Sequence, residues 1–247
     1  TQRVKIHILP GTYREKIMVP STKPYISFIG SSGEGSNVVI TWNNKASDRD
    51  SNGTELGTSR SASVTVLSDY FCAAGVTFEN TVVADAGGDG MQAVALRVSG
   101  DKAFFYRVKI LGTQDTLLDD SGSHYFYRCY IQGTVDFIFG RARSLFHECT
   151  LQSIAKKSGA IAAHHRDSPD EDTGFSFVSC VVNGTGKILL GRAWGNYSRA
   201  VYSYCKMADI IVPSGWSDWN HPDRQKTVEF GEYECSGRGS NTRGRVP

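Results

Sequence analysis

The sequence predicts an all-β fold wound as a parallel solenoid, on three observations. Glycine is plentiful, at 26 of 247 residues, and no long segment carries an apolar period of 3.6, so short strands separated by turns are expected. A segment also echoes itself: Tyr106-Arg107-Val108-Lys109-Ile110-Leu111-Gly112-Thr113 overlays Tyr127-Arg128-Cys129-Tyr130-Ile131-Gln132-Gly133-Thr134, 21 residues further on. Finally, the same kind of short segment recurs at uneven intervals. Aligned through Val76, Val108, Cys129, Cys149, Cys180 and Cys205, its spacings are 32, 21, 20, 31 and 25 residues. A fixed strand with variable spacing means a common rung with loops of different length, each rung about 4.8 Å above the last.

Taken in order, Val4 to Ile8 alternates polar and apolar residues and reads as a strand, followed by a turn at Pro10-Gly11-Thr12-Tyr13. Ile17 to Val19, Ile26 to Ile29 and Val38 to Trp42 are further strands. Gly30-Ser31-Ser32-Gly33-Glu34-Gly35 reads as a flexible turn, because it lacks the lysine and spacing of a phosphate-binding loop. Residues 44–58 are polar and form an excursion. From Ser63 the repeat takes over, through Phe71 to Asn80, Phe104 to Gly112, Tyr125 to Gly133, Leu145 to Leu151, Phe177 to Thr185 and Val201 to Met207. Gly90 to Arg97 reads as an apolar strand interrupted by Gln92.

The formal charge of +2 is too small to imply nucleic acid, though basic patches could favour an acidic polymer. No apolar run approaches the ~18 residues of a membrane span, and the chain shows no signal peptide. It opens directly on a strand, so an N-terminal portion is expected to be absent. None of the six cysteines forms a CxxC pair, which argues against zinc. At one repeated position, small apolar side chains would form an inward ladder, with disulfides between rungs as the alternative. Sequons at Asn52-Gly53-Thr54, Asn183-Gly184-Thr185 and Asn196-Tyr197-Ser198 fit a secreted glycoprotein.

The candidate chemistry starts from the echo, which places Asp115 over Asp136. Taken singly, each reads as a turn-capping aspartate. In register on neighbouring rungs they become two close carboxylates whose protonation should split, one a general acid and the other an anionic base or nucleophile. Gln114 precedes Asp115, and Gln92 interrupts its apolar run. A neutral amide suits a developing oxyanion, although either could be a surface or core amide. Arg192, in Leu190-Gly191-Arg192-Ala193-Trp194, could hold a carboxylate by its fork, and Trp194 offers a face to a sugar ring. A structural ion pair and a core tryptophan are the alternatives. His164-His165 has no metal-ligand spacing and reads as part of a solvated loop reaching Asp172. No GxSxG is present, so a nucleophile-elbow serine hydrolase lacks its mark.

These segments resemble the plant-type pectin methylesterases (pectinesterases). The likeness rests on Gly11-Thr12-Tyr13-Arg14-Glu15, Gln92 to Arg97, Gln114-Asp115-Thr116-Leu117, Gly133-Thr134-Val135-Asp136-Phe137-Ile138-Phe139-Gly140, Leu190 to Trp194 and Gly231-Glu232-Tyr233. It covers nearly the whole chain. Ala193 stands where the family more often has proline, which should change loop stiffness more than chemistry. The resemblance implies a right-handed parallel β-helix, with residues 1–247 forming a single catalytic domain whose N-terminal cap is incomplete. It implies hydrolysis of galacturonate methyl esters in homogalacturonan, giving methanol and pectate, with no metal or organic cofactor. By motif, Asp136 is the nucleophile, Asp115 the acid and then the base, and Gln92 and Gln114 the oxyanion donors. Arg192 holds Asp136, and Arg192 and Trp194 line the sugar site. A secreted monomer in the plant cell wall is expected, with a proteinaceous pectinesterase inhibitor as a partner and no nucleic acid or membrane. Two rivals remain on the residues alone. Paired acids also suit a glycoside hydrolase or lyase, and a non-catalytic wall-polysaccharide binder could use the aromatic groove.

Overall fold

A computed structural model of the chain describes residues 2–30, 37–84 and 89–246. Most of the glycine-rich turn after Gly30 lies outside these residues. The chain is a parallel β-helix, and all its paired strands run parallel. One wall is a nine-stranded sheet that runs from Val4–His7 through Ala103–Tyr106, Ser123–Tyr127 and Arg143–His147 to Glu229–Tyr233. The other sheet makes two walls. One carries Lys109–Leu111 and Tyr130–Gly133, and the other carries Leu96–Val98, Leu117–Asp119 and Ile138–Gly140.

The echo in the sequence is one turn of the coil. Tyr106 pairs with Tyr127, Ile110 with Ile131 and Leu117 with Ile138, which is the register the overlay predicts. Two strands are longer than expected. Thr150–His164 spans 15 residues, pairing with Tyr130–Gly133 at its start and Ile138–Gly140 near its end, so it joins the two walls. Val181–Ala193 continues alongside it. In the coils before these, the two walls are separated by a sharp corner, and Asp115 and Asp136 occupy it.

A second corner recurs after the nine-stranded wall. Arg107, Arg128, Glu148, Ser179 and Tyr204 all have φ between 50° and 56°, in the left-handed region. That conformation costs a non-glycine residue on the order of 1 kcal/mol. Stacking offsets it: the amide of each donates to a carbonyl one coil further on, Arg107 to Tyr127 at 3.0 Å and Tyr204 to Tyr233 at 2.8 Å, for example.

The interior is layered by type because the rungs are in register. Phe105, Phe126, Phe146, Phe177 and Tyr202 stack in sequence with ring centroids 4.7, 4.7, 4.8 and 4.3 Å apart. Beside them runs the expected cysteine ladder. Cys129, Cys149, Cys180 and Cys205 are buried free thiols, each donating to a backbone carbonyl of the preceding coil at 3.3–3.4 Å. Phe126→Ala opens a gap in the middle of the aromatic stack and should cost about 3–5 kcal/mol, read as a lower midpoint in urea with the slope preserved. Among the described residues no helix is long and apolar enough to cross a membrane.

Candidate active site

The corner between the last two walls is built by stacking one irregular turn on another. The Thr134 amide donates to Thr113 O at 2.8 Å, the Asp115 amide to Val135 O at 3.1 Å and the Leu117 amide to Phe137 O at 2.9 Å. Glycine is required at Gly133, where a Cβ would lie 2.1 Å from Phe137 Cβ and 2.7 Å from Thr113 O. Asp115 (φ 60°) and Asp136 (φ 47°) both adopt the left-handed conformation that aspartate tolerates better than most residues. Because the two turns are in register, both carboxylates face one cleft of about 620 Å³, with Gln92, Gln114, Arg192 and Trp194 in its lining. All six residues singled out in the sequence therefore meet at one place.

Asp136 is 6% exposed. Arg192 reaches it from the strand Val181–Ala193, donating through Nε to Oδ1 at 2.8 Å and through Nη2 to Oδ2 in a two-pronged pair. This guanidinium also lies over the Trp219 ring, its Cζ 3.8 Å from the ring centre. Arg192 is thus held by a carboxylate and an indole face, an arrangement that restricts its rotamers.

The two acids are in unequal environments. Burial pushes the Asp115 carboxyl well above the usual carboxylate range, and the negative charge of Asp136 pushes it further, with Arg192 opposing weakly. Burial leaves Asp136 raised as well, though less than Asp115, because the hydrogen bonds and charge of Arg192 oppose it. Asp115 is therefore the group that keeps its proton and Asp136 the one that ionises. The side-chain amides of Gln92 and Gln114 make no hydrogen bond with another described residue, which leaves both able to donate to a ligand.

Three expectations need correction. Gln92 does not interrupt a strand: the strand is Leu96–Val98, and residues 91–95 approach it as irregular chain. Here the Ala93 amide pairs with Gln114 O and the Ala95 amide with Thr116 O, following the irregular turn rather than a ladder. His164 is not in a solvated loop. It ends the strand Thr150–His164, 1% exposed, with Nδ1 accepting from the Arg199 amide at 3.2 Å and Nε2 facing Ala142 O at 3.3 Å. Burial lowers it to about 3, so it is a neutral structural imidazole. His165 is also packed, with its ring edge-on to Trp194 at 4.5 Å between centroids.

Sequence reasoning missed Phe139, Arg141 and Trp219 in the cleft lining. Phe139 lay inside a quoted motif, on the opposite face of its strand from Ile138. Trp219 follows Trp216 in Gly215-Trp216-Ser217-Asp218-Trp219, a concentration of indoles that was a usable signal.

The chain resembles known proteins along its whole length. The pectinesterase family model matches residues 1–247. The chain is 67% identical to pectinesterase QRT1 of Arabidopsis thaliana over all of its own length and 65% of that protein's. Among solved structures it resembles the pectin methylesterase from carrot, with a TM-score of 0.88 and 35% identity over 99% of this chain and 77% of that one. It also resembles a pectin methylesterase in complex with a hexasaccharide, at a TM-score of 0.81 and 25% identity over 99% of this chain and 84% of the other.

Proposed function

The chain belongs to the pectinesterase family, and from this premise we propose that it hydrolyses the methyl esters of galacturonate units in homogalacturonan, releasing methanol and leaving pectate. The observation that carries the reading is the unequal acid pair: Asp136 held ionised by the Arg192 fork, beside Asp115 held protonated, under two glutamine amides free to donate. An Asp136 oxygen attacks the ester carbonyl carbon, and the carbonyl electron pair moves onto oxygen, where the Gln92 and Gln114 amides stabilise it. Collapse of this intermediate breaks the bond to methoxide, which takes the Asp115 proton and leaves as methanol. Asp115, now anionic, removes a proton from water, and the resulting hydroxide opens the acyl anhydride. This restores the Asp136 carboxylate and frees the galacturonic acid, whose remaining proton passes to solvent, while the proton taken from water has already restored Asp115. Arg192 and Trp194 line the sugar site.

The hexasaccharide bound to a structural relative supports a polysaccharide in the cleft. The same reading places the protein in the plant cell wall as a secreted monomer with a proteinaceous pectinesterase inhibitor as a partner. The exposed sequon asparagines Asn52, Asn183 and Asn196 suit that compartment. The test is product analysis on highly methylated pectin. Methanol without new reducing ends supports the esterase, whereas chain shortening without methanol means a hydrolase or lyase. Gln114→Ala removes one oxyanion donor and should lower kcat by about 10²–10³-fold.

A further inference from the structure

The cleft carries a cation that the proposed reaction does not use. Its charged or chargeable lining residues are Asp115, Asp120, Asp136, Arg141 and Arg192. Asp136 and Arg192 neutralise one another. Asp120 accepts from Arg97 at 2.8 and 3.0 Å and from Ser99 at 2.9 Å, so its charge is also matched. Asp115 keeps its proton. Arg141 is left, exposed and with no carboxylate within ion-pair distance among the described residues. An unmatched guanidinium on the wall of a site for an acidic polymer is a place for an anion.

Arg141 is held in place. It directly follows the strand Ile138–Gly140, and its Nη2 donates to His165 Nδ1 at 3.2 Å. A guanidinium can only donate, so this contact makes Nδ1 the acceptor. The His165 ring packs edge-on against Trp194, and Asp167 Oδ2 lies 3.4 Å from the same nitrogen. Arg141 and the sugar-facing indole are thereby tied through one imidazole, and among the described residues the other guanidinium N–H groups of Arg141 have no partner. Arg141 lies five positions after Asp136 and contacts His165 rather than the acid pair or Arg192, so it is available to a sugar unit other than the one whose ester is attacked.

We propose that Arg141 forms a subsite for the free carboxylate of an already de-esterified galacturonate on the bound chain, so that the enzyme prefers partly de-esterified substrate to the fully esterified polymer. The proposal rests on the esterase reading above. A carboxylate accepts two parallel charge-assisted hydrogen bonds from an arginine fork, and a methyl ester offers no charge and only one good acceptor, so the subsite separates product units from substrate units. Each ester hydrolysed then creates a ligand for the next encounter on the same chain.

The test compares wild type with Arg141→Gln and Arg141→Lys in two assays at low salt. The first takes the ratio of kcat/KM on randomly half-esterified pectin to that on highly esterified pectin, by methanol release. The second measures binding of unesterified hexagalacturonate by calorimetry. Arg141→Gln is expected to lower both the ratio and the affinity by about tenfold, with Arg141→Lys recovering part of each. A ratio and affinity equal to wild type overturn the proposal. So does an equal loss on both pectins with hexagalacturonate affinity unchanged, which would mark a merely structural role. Wild-type affinity too weak to measure also counts against it. If wild type releases no methanol, the esterase reading fails, while the hexagalacturonate comparison still decides whether Arg141 binds the carboxylate.

Discussion

Asp136→Asn should abolish methanol release, by about 10⁴-fold or more in kcat, while pectin still binds. The substitution keeps the shape of the side chain and removes the one group able to form the acyl bond. An amide oxygen is a poor nucleophile, and Asp115 lacks the Arg192 fork that orients the attacking carboxylate, so it does not take its place. Arg192 and Trp194 remain to contact the sugar, so binding should survive. Measuring methanol from highly esterified pectin alongside equilibrium binding of the same polymer separates the outcomes. Equal loss of both would mean that Asp136 only organises the cleft, and retained turnover would remove it from the mechanism.

The reach of the sequence follows from what a parallel coil repeats. Stacking in register sets equivalent residues one above another, so the overlay of Tyr106–Thr113 on Tyr127–Thr134 was also a statement about space. It placed Asp115 on Asp136 without any knowledge of the cleft. The cysteine column was readable for the same reason. Groups brought in by chain that does not repeat were not. Trp219 arrives from beyond the strand Trp216–Ser217, and only packing shows its indole over Arg192. His164 opens a polar sequence, yet its strand continues further than that composition suggests, because both its neighbours supply partners up to His164. Arg141 has no sequence mark at all. Its meaning comes from the pairing of every other charge in the cleft.

Asp115→Asn should lower kcat by about 10³-fold and leave a protein more stable at neutral pH than the wild type. The activity loss comes from two steps, since methoxide then departs without a proton and water attacks without a base. In the wild type, turnover requires Asp136 ionised and Asp115 protonated. Activity therefore rises with pH as Asp136 loses its proton and falls again as Asp115 does, and Asp115→Asn should remove the alkaline fall from what activity remains. The stability effect has the opposite sign to the functional one. The folded state holds the Asp115 carboxyl above its unfolded value of about 3.9, so below that value both states are protonated and the residue costs nothing. As pH rises past it the unfolded chain ionises first and is favoured, and this destabilisation grows until pH passes the folded value, beyond which it stays constant. Asparagine carries no such term. Thermal melts of the two proteins should coincide near pH 3, with the variant melting higher at pH 7. A variant less stable at both pH values would show that the Asp115 carboxyl supports the corner rather than straining it, and the acid assigned to methanol departure would have to be sought elsewhere in the cleft.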